Sequence, residues 1–164
     1  MDKKLGSLDP DKENVWDYPR PPRVEATKSE IFVEFNKVIL AKTRQAFRVL
    51  ETSHPPVYYI PQVDIKMEYL IQNASRSFCE WKGVGLYYDV VVRGKRARKA
   101  AWYYPDPTAG FEIIRDCIAF YAHKMDACYV NGERVIPQPG GFYGGWITSN
   151  LIGPFKGEPG SQGW

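Results

Sequence analysis

Cys79 and Lys82 stand within one glycine-flanked stretch, Cys79-Glu80-Trp81-Lys82-Gly83. A thiol beside an ammonium is the pairing that favours thiolate, so Cys79 is a candidate nucleophile. Lys82 is a candidate grip for an anionic group. The plainer reading makes Cys79 a core residue of a strand and Lys82 a residue at a turn or rim. Acid–base material is scattered over Asp64, Glu68, Arg115, Asp116, His123, Asp126 and Lys156. His123 titrates near neutral pH and could serve as acid or base, whereas Asp126, beside a strand start, could simply orient a turn. No triad follows from spacing, because such partners meet in space and not in chain order.

Two further groups carry chemistry. Tyr59, Trp81, Tyr87, Tyr88, Trp102, Tyr103 and Tyr121 form a dense aromatic set. Side chains alternate across a strand, so Tyr87 and Tyr88 face opposite sides, as do Trp102 and Tyr103. One member of each pair could line a concave face suited to a flat or sugar-like ligand; we take Tyr59, Trp81, Tyr88, Trp102 and Tyr121 as that wall, with Lys82 as its polar anchor. Ordinary core packing and cross-strand pairing is the competing account. Arg93, Lys95, Arg96, Arg98 and Lys99 form the second group, a basic cluster. Nucleic acid would use it through salt-dependent phosphate contacts, but a charged hairpin tip more commonly is solvated or guards an edge strand. The balance reads against nucleic acid.

The elements that must position these residues are strands. The chain has 164 residues, 44% hydrophobic, 15% aromatic and 25% charged, with 14 Gly and 13 Pro scattered as turn punctuation. That length suits one domain, and the composition favours strands over helices. The net charge of +3 is local, since without the basic cluster the chain carries slightly more acid than base. Three cysteines and two isolated histidines offer no Cys-x-x-Cys or His-x-x-x-His pair, so neither a metal nor a cofactor is expected, nor a disulfide framework. No apolar run approaches the ~20 residues that span a bilayer, and a cytoplasmic location without a membrane partner is the expectation.

Along the chain, residues 1–28 read as an N-terminal tail and Pro-rich arm, with the first dozen mobile and Trp16 to Pro22 extended across the body. Strands are expected at 31–35, 38–40, 45–50, 57–60, 77–81, 84–92, 98–104, 118–121 and 125–130. Asn36-Lys37, Arg93-Gly94-Lys95 and Asn131-Gly132 supply the turns. The spacing of Val63, Met67, Leu70 and Ile71 predicts one short helix near 62–71. After a β core at 29–137, residues 138–164 form a glycine- and aromatic-rich tail, whose Trp146, Phe155 and Trp164 are expected to dock on the sheet. The fold class is mainly β, a compact single-domain twisted sheet or an open barrel or sandwich.

The run Ser77-Phe78-Cys79-Glu80-Trp81-Lys82-Gly83-Val84-Gly85-Leu86-Tyr87-Tyr88 resembles the Cys-Pro-aromatic-Lys-Gly-x-(Ala/Ser)-x-Tyr signature of the domain-of-unknown-function family numbered 427. Val57-Tyr58-Tyr59-Ile60-Pro61-Gln62-Val63-Asp64 is similar to that family's Tyr-Phe-Pro-x-x-Asp element, and Ala101-Trp102-Tyr103-Tyr104-Pro105-Asp106-Pro107 to its Ala-Trp-x-Tyr-x-x-Pro element. Ile118 to Tyr121 with Val130-Asn131-Gly132-Glu133 resembles its closing hairpin, so the likeness runs over about residues 29–136. Glu80 departs from the Pro of many relatives. The flanking arms resemble a longer subgroup associated with cyanobacteria and other bacteria. The resemblance implies a small, mainly β domain of unsettled activity, sometimes labelled nucleotidyltransferase-like. That label asks for paired carboxylates about ten residues after a Gly-Gly helix start, to hold Mg²⁺ against phosphates. Neither Gly140-Gly141 nor Gly144-Gly145 is followed by such a pair.

The leading expectation is therefore a small-molecule-binding protein, with an unidentified anionic or ring-containing ligand in an aromatic-lined pocket. Whether it is also an enzyme stays open. The alternative is a non-enzymatic assembly protein, a homo-oligomer whose terminal arms wrap a neighbouring subunit.

Overall fold

The computed structural model describes residues 11–164, so the mobile tail expected for the first dozen residues falls almost wholly outside it. Its strands are β1 (Glu13–Asn14), β2 (Arg23–Ala26), β3 (Ile31–Phe35), β4 (Val38–Thr43), β5 (Phe47–Leu50), β6 (Val57–Tyr59), β7 (Leu70–Cys79) and β8 (Gly83–Val92). They continue as β9 (Lys95–Tyr103), β10 (Ala119–Phe120), β11 (Ala127–Val130), β12 (Glu133–Arg134), β13 (Ile136–Pro137), β14 (Trp146–Ile147) and β15 (Leu151–Ile152). The protein is mainly β. Two open four-stranded antiparallel sheets, β10-β9-β8-β7 and β12-β11-β3-β4, are joined by a three-stranded sheet, β2-β5-β6, and two short ribbons.

The turns follow from residue type. Asn36 and Lys37 take φ of 48° and 66°, Arg93 and Gly94 take 50° and 80°, and Asn131 and Gly132 take 49° and 82°. Two successive positive φ values make the tight turn whose twist matches its strands. The alternation of β3, buried at Ile31, Val33 and Phe35, and of β8 and β9 then fixes which rings go where. One face of the β7–β10 sheet packs Val90, Val92, Ala100 and Tyr103 against β3, β4 and β11 in the main core. The opposite face turns Tyr87, Trp102 and Ala119 into a second cluster with Val49, Tyr59, Tyr104 and Ile114.

The helix expected near 62–71 does not form. Two single 3₁₀ turns, Gln62–Asp64 and Met67–Tyr69, lead straight into β7. The backbone here bonds outward to a strand: Lys66 N–H donates to the Leu40 carbonyl at 2.8 Å, and Ile65 bridges to Ala41. Val63, the first residue of the supposed apolar stripe, is 86% exposed. The period was coincidental. The Trp16–Pro22 arm also differs from a simple extended strap, because β1 pairs in parallel with β15 and Val15–Asp17 forms a 3₁₀ turn. Trp146 stacks on Tyr58 at 5.2 Å and is fully buried, and Trp164 meets Trp16 edge-on at 5.3 Å. The described part of the N-terminal arm thus meets the C-terminal tail, and the tail meets β6.

The β8–β9 ladder slips register between Tyr88 and Val90, and Asp89 holds the slip. Its buried carboxylate accepts from Asn73 Nδ2 at 2.7 Å, from the Lys99 N–H at 2.9 Å and from Arg96 Nη1 at 2.6 Å. Burial pushes that carboxyl up, but the Lys99 N–H, Asn73 and Arg96 together hold it below the usual carboxylate range. A depressed carboxyl contributes stability above its unfolded pKa, and that contribution is lost as the pH falls through the folded value. Asp89→Asn is therefore expected to cost about 1.5–3 kcal/mol at pH 7. Urea unfolding of both proteins at pH 7 and pH 3 checks it: the gap between them must narrow in acid.

Candidate functional site

One cavity of about 600 Å³ opens between the second aromatic cluster and the C-terminal segment. Its wall is built by alternation. Tyr59 on β6, Tyr87 on β8 and Trp102 on β9 project from facing elements, and Tyr104 and Tyr121 flank them. The rings brace one another: Trp102 Nε1 donates to the Tyr59 hydroxyl at 3.3 Å and its ring lies 4.5 Å from that of Tyr121. Burial pushes the phenols of Tyr59, Tyr104 and Tyr121 up, so all three are neutral donors at physiological pH.

Lys82 sits in the turn between β7 and β8. That turn is pinned by residues 105–108: the Thr108 N–H donates to the Lys82 carbonyl at 3.1 Å, and the Thr108 hydroxyl donates to the Trp81 carbonyl. Gly83 takes φ +104°, a left-handed conformation that a glycine adopts freely and that reverses the chain here. The result places Lys82 against the cavity, only 9% exposed, with its ammonium 5.7 Å from the centre of the Tyr104 ring. Among the described residues its Nζ has no carboxylate and no hydrogen-bond partner. The stem is covered, while the ammonium opens on the cavity and faces its rings.

Cys79, Trp81, Tyr59, Trp102 and Tyr121 all line the same cavity as Lys82. Tyr88 does not. It stacks on Tyr103 at 5.0 Å on the other side of the sheet, and Tyr87 takes the cavity position, since neighbours on a strand must point opposite ways. His123 and Asp126 also lie elsewhere. His123 is exposed on a 3₁₀ turn against Tyr121, while Asp126 accepts from the Asn36 N–H at 2.6 Å and orients the β3–β4 turn. Of the other thiols, burial and then the charge of Asp116 push Cys117 up to about 11, and burial pushes Cys128 up as well.

The residues that spacing did not single out come from the loops. Arg20, Glu51, His54, Gln138 and Lys156 form a polar end to the cavity. Arg20 Nε lies 3.4 Å from Glu51, whose carboxylate is 3.7 Å from His54 Nε2. Burial first, then the charges of Arg20, Lys156 and Lys82, push the His54 imidazole down to about 4. It is neutral at physiological pH. The only sequence signal was the turn His54-Pro55-Pro56, which indicates a loop and nothing of its contents.

The basic hairpin stands apart. Arg96 bonds Asp89, Lys95 lies 3.8 Å from Asp126, and Lys99 sits over the Tyr87 ring at 4.9 Å. Among the described residues no three His, Cys, Asp or Glu side chains gather as a set of metal ligands, and no helix is long and apolar enough to cross a membrane. No curated protein matches the chain. One family model does, over residues 23–131, which takes in β2 to β11 and the walls that carry Tyr59, Cys79, Lys82 and Trp102: the chain belongs to the family described as a domain of unknown function, DUF427.

Proposed function

We propose that this protein binds a small, ring-bearing anion in the aromatic cavity, with the Lys82 ammonium as its anchor. The observation that carries the reading is a Lys82 ammonium that opens on a ring-lined cavity with no carboxylate beside it among the described residues. An unneutralised ammonium at an apolar wall attracts an anion more strongly than one in bulk water, because the rings keep solvent from one side of the pair. An anionic ligand completes the site. The rings of Tyr59, Tyr87, Trp102 and Tyr104 provide flat apolar surface for the remainder of that molecule. A volume of about 600 Å³ falls within the range of ordinary small-molecule sites.

Paired isosteres test the charge requirement. Benzoate and indole-3-carboxylate are expected to raise the melting temperature and to quench the fluorescence of Trp81 and Trp102, while benzamide at equal concentration leaves both unchanged. If neither carboxylate binds, or benzamide binds as well as benzoate, the reading fails.

A further inference from the structure

The polar end of the cavity is wired from outside the family match. Gln138, only 2% exposed, lies beyond residue 131 and reaches three partners at once. Its Oε1 accepts from the Gly145 N–H at 3.0 Å, and its Nε2 donates to the Lys156 carbonyl at 2.9 Å. Those two bonds allow one orientation of the amide, because a flip would set N–H against N–H and oxygen against oxygen. The second N–H of Nε2 is then directed at His54 Nδ1, 3.0 Å away. A nitrogen that faces a donor carries no proton. The single imidazole proton must sit on Nε2, on the side where Glu51 is too distant, at 3.7 Å, to accept a good hydrogen bond.

We infer that Gln138 is a positioning residue that locks His54 as the Nε2–H tautomer, and that this N–H, together with the Lys82 ammonium, receives the carboxylate of an aromatic acid. The inference rests on the anion-binding reading and narrows it to a ligand class. Positive charge dominates the cavity beside His54: Lys82, Arg20, which bonds the Thr52 carbonyl, and Lys156, which bonds the Gln162 carbonyl, against Glu51, already beside Arg20, and the exposed Glu80. A two-oxygen acceptor matches two donors, an ammonium and an imidazole N–H. A phosphate ester asks for more, normally a row of backbone N–H groups at a helix start, and the described residues contain only single 3₁₀ turns. The groups facing His54 are Arg20, Glu51, Lys82, Lys156, Gln138 and the Tyr143 ring, 4.9 Å away.

The test uses the full chain labelled with ¹⁵N-histidine, with benzoate as the probe. At pH 7 the His54 nitrogens are expected to report a protonated Nε2 and a bare Nδ1, and benzoate is expected to shift the Nε2 resonance. Gln138→Glu replaces the donor with an acceptor and is expected to put a proton on Nδ1. His54→Phe should weaken benzoate at least about tenfold, while His54→Gln, which keeps a donor near Nε2, should restore most of the affinity. A proton on Nδ1 in the wild type overturns the inference, as does benzoate affinity unchanged in His54→Phe while Lys82→Met loses it. That second result would leave the anion-binding reading standing; no benzoate binding to the wild type removes both.

Discussion

Lys82→Met is expected to remove most of the binding and to leave the stability of the fold nearly unchanged. Methionine has nearly the shape of the lysine stem and no charge, so the side chain keeps its packing and loses only an ammonium that already opens on the cavity. Stability should stay within about 0.5 kcal/mol of the wild type. Benzoate affinity should fall by about ten- to a hundredfold, the worth of one hydrogen bond to a charged group. Calorimetry with and without benzoate reads both. The split between the two readouts matters more than either magnitude. A lysine kept for structure would destabilise when replaced, and a lysine with no ligand to hold would leave affinity untouched.

The strand framework was legible because local chemistry decided it. Asn131-Gly132 favours positive φ by residue type, Asn36-Lys37 and Arg93-Gly94 each carry one residue that tolerates it, and the alternating runs between them could pair in few ways. Alternation also placed Tyr87 and Tyr88 on opposite faces, but parity alone could not say which face was hollow, and Tyr88 went to the solid side. The 62–71 segment misled because a spacing of three and four is only a helix signal when its backbone bonds stay local, and here the Lys66 N–H goes to Leu40 on β4, with Ile65 set opposite Ala41. His54 was illegible for a different reason. Its role depends on Gln138, 84 residues away in the chain, and on three cations contributed by separate loops. Distances of that kind are a property of the folded topology.

The contact that closes the cavity is steric, and it separates cleanly from the electrostatics of Lys82. Gly144 sits so close to the wall that a Cβ there would lie 2.1 Å from Trp102 Cη2 and 2.9 Å from its Cζ2 and Cζ3. Trp102 cannot yield easily, since it is 7% exposed, bonded to the Tyr59 hydroxyl and packed on Tyr121. Gly144→Ala should therefore cost about 1–3 kcal/mol through overpacking and lower benzoate affinity by displacing the ring. Gly163→Ala, where a Cβ meets nothing within 4 Å, is the control and should be silent. Trp102→Phe removes the six-membered ring of the indole that the new methyl would strike. In that background the cost of Gly144→Ala should shrink by about 1 kcal/mol or more, a coupling readable from urea unfolding of the two single variants and the double. Additive costs would mean that Gly144 is required by its own backbone and not by the tryptophan.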